Sequence, residues 1–387
     1  MGLLRHMVLT YIGKNDTLNS SDACKVTCVS KQEQDLHYKF CLDMNRPTQV
    51  DVAQLAGVSR ATVSYVLNGV TNGRVPISDE TRQRVLDAIN ELGYEPDARA
   101  QALRSGSTNT IALIIPDLQN PHFCEYATGI EEAARSAGYH LLLSSTTMDD
   151  EYAVEIFKDL ARRRFDGLII ASSFILESKE AQDTLEQVRE RGLPIVEMDE
   201  NYGVDSVSAD YREATREVMS HLLSLGHRRI GLVYGVGNHE IGQDRLEPYR
   251  ESLTDANIPI EEELIAYCGP SLEDGYQASL NLLQISPRPS ALIAINDLLS
   301  MSALRAAADL GIQIPEDLSL VGYDDIPMAN YLVPRLTTVT KNAYAAGTKA
   351  FEVLLARIQN PELPRQHAHI KARLILRGST GPAPLIK

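Results

Sequence analysis

Between Val50 and Leu92 apolar residues return at intervals of three and four: Val52, Leu55 and Ala56, then Val63, Val66 and Leu67, then Val85, Ile89 and Leu92. That spacing gathers each set on one side of a helix, so three short helices are predicted. Ser59 is placed to cap the second, with Thr62 three residues on. Ser78 is placed to cap the third, whose first turn holds Asp79 and Glu80 where the helix dipole favours acids. Gly57 suits the turn between the first two. From about Thr110 the period changes. Short apolar runs at Ile111 to Ile115, Tyr139 to Leu143, Gly167 to Ala171, Pro194 to Met198, Arg229 to Tyr234, Ala291 to Ile295 and Leu318 to Tyr323 alternate with amphipathic helical stretches. Such alternation builds parallel sheets covered by helices on both faces. So many strands divide better into two doubly wound lobes than into one sheet, and ligands then bind at the carboxyl ends of the strands, between the lobes.

The pattern yields four segments: an unpatterned extension over 1–43, a helical domain over 44–96, a short helix and Gly/Ser linker over 97–108, and a two-lobed α/β body over 109–387. Met44 stands at the edge of the patterned region. Translation beginning there is the favoured expectation, and a natural flexible arm is the alternative. The extension holds Cys24, Cys28, His37 and Cys41, but C-x3-C and H-x3-C fit no standard zinc spacing, so neither a metal nor another cofactor is expected. With Cys124 and Cys268 the cysteines number five, an odd count that suits reduced thiols better than a disulfide framework. No apolar run approaches the roughly 20 residues that span a bilayer, and no secretory signal opens the chain. A cytoplasmic protein with no membrane partner is expected.

A net charge of −15 argues at first against nucleic acid, whose phosphates favour basic surfaces. Its distribution removes the objection. Residues 1–44 sum to zero, residues 45–107 balance seven arginines against seven acids, and residues 108–387 carry the whole −15. The segment Val52-Ala53-Gln54-Leu55-Ala56-Gly57-Val58-Ser59-Arg60-Ala61-Thr62-Val63-Ser64-Tyr65-Val66-Leu67-Asn68 has helix-turn-helix spacing. Small residues at the start of its second helix allow entry into a major groove, and Ser59, Thr62, Ser64 and Asn68 can donate to phosphates. A three-helix bundle used for protein contacts is the weaker alternative.

That segment resembles the lactose-repressor (LacI/GalR) family of bacterial transcription regulators. The resemblance runs through nearly all of residues 48 to 380. It includes Leu92-Gly93-Tyr94-x-Pro96, Asn120-Pro121-x-Phe123, Leu225-Gly226-His227-Arg228-Arg229-Ile230, Asn296-Asp297, Val321-Gly322-Tyr323-Asp324-Asp325 and Leu336-Thr337-Thr338-Val339. It implies an α helix-turn-helix headpiece joined to an α/β effector-binding body of two parallel-sheet lobes like those of periplasmic binding proteins. It also implies a homodimer on a near-palindromic double-stranded DNA operator, acting more as a repressor than an activator, and not an enzyme. Base edges would be read by Arg60, Ala61 and Tyr65, with Arg60 suited to a guanine and Ala61 to a thymine methyl. Tyr65 stands where relatives often carry arginine, which leaves the base preference there open. Arg74 lies in a longer turn than is usual, either reaching phosphate or solvated. Asp97 to Ser105 resembles the family's hinge helix, with Leu103 as the minor-groove wedge. A helix that short is marginal alone and would order only when two copies pair on DNA; a passive linker is the alternative.

In the body, the resemblance puts His122, Phe123, Asp199, Arg245 and Asp297 around the cleft. Carboxylates and an arginine fork suit a polyhydroxylated effector, a sugar or derivative, with Phe123 or Tyr276 covering the ring. Arg245 as a structural ion-pair partner, Asp297 as a helix cap and Phe123 as core are the competing readings. By an approximate alignment, His239 and Ile241 replace the basic and hydroxyl residues of purine-type relatives, which disfavours a purine base and leaves a nucleoside open. A dinucleotide-binding enzyme is disfavoured because Gly235-Val236-Gly237 is followed by Glu240 where a third glycine is needed. A C-terminal coiled coil is not expected, since residues 378–387 contain no heptads.

Overall fold

The structure, a computed structural model, describes residues 47–68, 77–95, 106–162, 165–176, 178–198, 203–235 and 242–384. It separates into two compact units, Met1–Asp97 and Ala98–Lys387. In the first, α1 (Gln49–Ala56), α2 (Arg60–Asn68) and α3 (Asp79–Leu92) follow the predicted periodicity. Thr48 and Asp51 form a capping box at the start of α1, and Gly57 ends it in the left-handed conformation at φ 64°. Ser59 Oγ accepts from the Thr62 amide at 3.1 Å, and Ser78 Oγ from the Thr81 amide at 3.3 Å, so both predicted caps form. Val52, Ala56, Val63, Val66, Val85 and Ala88 close a small core.

The second unit holds two sheets of six strands each, ordered β11-β5-β4-β3-β1-β2 and β12-β10-β9-β8-β6-β7. The strands of the first are β1 (Thr110–Ile115), β2 (His140–Ser145), β3 (Gly167–Ile170), β4 (Ile195–Glu197), β5 (Asp205–Ala209) and β11 (His367–Ile370). Those of the second are β6 (Ile230–Tyr234), β7 (Ile265–Tyr267), β8 (Ala291–Ala294), β9 (Ser319–Tyr323), β10 (Thr337–Thr340) and β12 (Arg373–Ile375). All pairings are parallel except β10 with β12. Within each sheet the order 2-1-3-4-5 recurs, the doubly wound topology whose strand order reverses beside the first strand.

Burial follows the pleat. In β1, Ile111, Leu113 and Ile115 pack to one side with α4 (Pro121–Ser136) and α11 (Ala343–Gln359), while Ala112 and Ile114 pack to the other with α5 (Asp150–Arg162) and α6 (Lys179–Glu190). Helices α4 and α11 approach closely because Gly129 and Gly347 face each other's backbones, at Tyr344 and Tyr126 respectively. The second lobe has one core, to which α7 (Tyr211–Ser224), α8 (Gln243–Asp255), α9 (Leu272–Gln284) and α10 (Asp297–Asp309) contribute. His227 is fully buried there and pins two strand entrances, with Nδ1 2.9 Å from Ser290 Oγ and Nε2 2.9 Å from Ser319 Oγ.

The chain passes between the lobes three times. It leaves the first after β5 to form α7, returns after β10 to form α11, and crosses again between β11 and β12. Among the described residues no helix is long and apolar enough to cross a membrane.

Candidate functional site

The parallel strands of both lobes end at one cavity of about 500 Å³. Pro116 follows β1, Ser172 follows β3 and Ala209 ends β5; from the other lobe Gly235, Asn296, Asp324 and Lys341 lie just beyond β6, β8, β9 and β10. Strand carboxyl ends expose unpaired backbone groups and carry the loops, which makes this the chemically addressable edge of each lobe. The crossings run along the wall: Asp210 and Tyr211 line it at the first, Lys341 at the second, and His369 of β11 stands beside the third.

His122, Phe123 and Arg245 line this cavity. Asn120 caps α4 through Oδ1 to the His122 amide at 3.0 Å, and Pro121 occupies the first turn, where its missing N–H costs nothing. His122 is thereby buried, with Nδ1 3.6 Å from Asp324 Oδ1. Burial pulls its pKa down to about 4, Lys341 and Arg245 push the same way, and Asp324 opposes them. The imidazole is neutral at neutral pH. Phe123 is half-buried beside it, ring centroids 5.5 Å apart.

Arg245 stands in the first turn of α8. Its Cζ lies 4.0 Å from the Tyr211 ring centroid and 5.3 Å from that of Tyr323, and an Nη reaches Asp244 at 3.1 Å. Burial works against its charge, but Asp244, Tyr211 and Asp324 outweigh it, so the guanidinium pKa is raised. It is both a structural ion-pair partner and a cavity residue.

Two of the other candidates stand away from the cavity wall. Asp297 does not line the cavity. It is fully buried, accepting from Thr338 Oγ1 at 2.6 Å and the Ile326 amide at 2.9 Å, and Asn296, not Asp297, caps α10. Burial and the neighbouring Asp324 hold its carboxyl well above the usual range. Through Ile326 it fastens the loop that carries Asp324. Tyr276 is also absent from the wall, because α9 directs its hydroxyl to Asp309 Oδ2 at 2.9 Å, outside the cavity. Asp199, His239 and Ile241 lie outside the described residues, as do Arg74, Leu103 and the cysteine-containing extension.

Asp324 and Lys341 are the functional candidates the sequence reading missed. Asp324 was in view within the Val321 to Asp325 motif, and strand-end logic singles it out once β9 is placed. It sits at φ 100° with Asp325 at φ 56°, two successive left-handed residues secured by Arg377 on Asp325 at 2.5 Å. Backbone held in such regions costs of order 1 to 3 kcal/mol and concentrates where a ligand is gripped. Lys341 follows β10, a strand whose threonines gave no apolar run.

In the first unit, Arg60, Ala61 and Tyr65 are exposed and Ser64 half-buried along one side of α2, opposite buried Val63 and Val66. Asn68 ends the helix. Ser59 and Thr62 share a hydrogen bond at 2.9 Å, so the capping hydroxyl is already engaged. Among the described residues no cluster of His, Cys, Asp or Glu could hold a metal.

A family model described as "Bacterial regulatory proteins, lacI family" matches residues 48–97, and a "Periplasmic binding protein-like domain" matches residues 219–380. The regulator DegA of Bacillus subtilis is 35% identical over 340 residues, covering 87% of this chain and 99% of that protein. The chain belongs to the LacI family. The lac repressor dimer bound to operator and an anti-inducer is similar at TM-score 0.77 and 26% identity, covering 87% of this chain and 100% of that one. The cellobiose complex of the transcriptional regulator CelR is similar at TM-score 0.64 and 29% identity, covering 86% and 100%. The LacI-family headpiece and binding body make this chain a DNA-binding regulator of transcription, in keeping with relatives named as regulators and repressors rather than enzymes.

Proposed function

We propose that this LacI-family member is a repressor that binds a near-palindromic operator as a homodimer and is released or engaged by a small polyhydroxylated effector in the interlobe cavity. The observation that carries the reading is that two of the lobe crossings supply cavity residues, Asp210, Tyr211 and Lys341, and that His369 of β11, next to the third, lines the cavity too. A ligand touching the crossings has different contacts in open and closed lobes, which is what coupling between sites requires. For a typical coupling of about 1 to 3 kcal/mol, operator affinity changes about 5- to 150-fold. The similar lac repressor structure is a dimer on its operator, and the similar CelR structure holds cellobiose, which supports operator and sugar as the partner classes. The exposed face of α2 would read bases through Arg60, Ala61 and Tyr65, with Ser64, Asn68 and Arg74 on phosphates. His122, Phe123, Asp199 and Arg245 would hold the effector.

The test is a gel shift against random-sequence DNA pools, repeated with each compound that raises the melting temperature in a screen of sugars, sugar derivatives and nucleosides. Enrichment of a palindrome, weakened or strengthened by a hit, is the expected result. Salt-sensitive binding without a selected sequence overturns it.

A further inference from the structure

Arg60 stands where a helix does not favour a cation. It is the first residue of α2, at the positive end of the helix dipole, and no acid shares that first turn. Its side chain is exposed, so packing does not account for it either. The side chain that orients it belongs to the preceding helix: Arg60 Nε donates to Gln49 Oε1 at 3.4 Å, across the turn from the first residue of α1. Gln49 is itself well anchored. The capping box closes its turn, with the Thr48 amide donating to Asp51 Oδ2 at 2.7 Å, and Val52 and Ala53 behind it are buried in the headpiece core.

The hydrogen bond engages one edge of the guanidinium and leaves another. A guanidinium can fork to a planar pair of acceptors through the edge that contains Nε or through the edge made of its two Nη groups. With Nε turned to Gln49, the Nη edge remains, and it offers the two donors that guanine O6 and N7 accept. An arginine already held this way surrenders less rotamer freedom when it binds. The acceptor is also neutral: a carboxylate would grip Nε more firmly but would set a negative charge beside DNA phosphates. On the reading of α2 as the helix that reads bases, we propose that Gln49 is a positioning residue for sequence recognition, holding the Arg60 guanidinium so that its Nη edge forks to a guanine. Gln49 acts through Arg60 and reads no base of its own.

The experiment uses the full chain and an operator selected from a random DNA pool. Affinities at fixed salt are measured for that operator, for copies with each base pair of a half-site replaced in turn, and for nonspecific DNA. Arg60→Ala should cut the preference for one guanine by about 5- to 150-fold, the worth of a bidentate contact, and so marks its position. Gln49→Ala should cut the preference at that same position by about 2- to 10-fold, the worth of one hydrogen bond, and leave other positions and nonspecific binding unchanged. Gln49→Glu keeps the acceptor and should keep the guanine preference while weakening binding to every sequence. In the Arg60→Ala background, Gln49→Ala should change no base preference further. An unaltered guanine preference in Gln49→Ala overturns the positioning role, as does an altered preference that persists without Arg60. A uniform fall across all sequences marks a phosphate contact or a folding loss and overturns it too. Arg60→Ala without effect at any base instead removes Arg60 as a reader, the reading on which the proposal rests.

Discussion

His122 on α4 and Asp324 at the end of β9 belong to different lobes, and their side chains meet at 3.6 Å, Nδ1 to Oδ1. The imidazole is also faced by Lys341 and Arg245 and by the rings of Phe123 and Tyr126. Its folded pKa of about 4 lies below the ordinary 6.5, so protons bind more readily to the unfolded chain. The stabilisation is therefore complete above about pH 6.5 and drains away as pH falls toward 4, by about 3 kcal/mol at most. His221 and His227, also depressed by burial, add to the same trend. The isolating measurement is the urea midpoint from pH 7.5 to 4.5 for the protein and for His122→Gln. The variant should show a shallower fall, and superimposable profiles would exclude His122 as a source.

Gly347→Ala should loosen the first lobe. A methyl there meets the Tyr126 backbone, which cannot swing aside as a side chain can, so α4 and α11 must part. Overpacking of this kind costs about 1 to 3 kcal/mol. A lower urea midpoint at unchanged slope is the expected readout; an unchanged midpoint means that the helices part without cost.

Tyr65→Ala separates recognition from folding. The side chain is 51% exposed, so folding stability should stay within about 0.5 kcal/mol while the DNA sequences selected from a random pool change. Val63→Ala, in the buried core of the same helix, should instead lower the headpiece melting temperature. Identical selected sequences for Tyr65→Ala and the parent would remove Tyr65 from the reading face.

Leu103→Ala tests the proposed minor-groove wedge. Operator affinity should fall well beyond nonspecific affinity at the same salt, because unstacking a base step is offset only where the bent DNA makes its specific contacts. A small, equal loss on both DNAs identifies the segment as a passive linker.

The pattern of apolar residues disclosed the three headpiece helices and seven of the twelve strands, because those elements are held by side chains that repeat at the element's own period. The strands it missed are short or polar. In β5, Asp205 and Ser206 are buried, stabilised by Arg357 through Nε and Nη at 2.8 and 2.9 Å and by His367 Nδ1 at 2.8 Å. Those partners are far away in sequence and leave no local signature. The cavity was legible in the same uneven way. His122 and Phe123 came with their motif and Arg245 with the family resemblance, whereas choosing Asp324 over Asp297 required knowing that the Ile326 amide and Thr338 hydroxyl had already claimed the Asp297 carboxyl.

Neither lobe of the body is a continuous stretch of chain. The first sheet is completed by β11 and the second by β12, both made after the other ten described strands. During synthesis, the helices of residues 49–92 have their whole core available long before the body does. A ribosome that stalls ahead of residue 367 would therefore leave a DNA-reading head attached to a sensor lacking an edge strand on each sheet. Whether such a chain is finished is registered only in the body, since the head alone gives no sign that anything is missing.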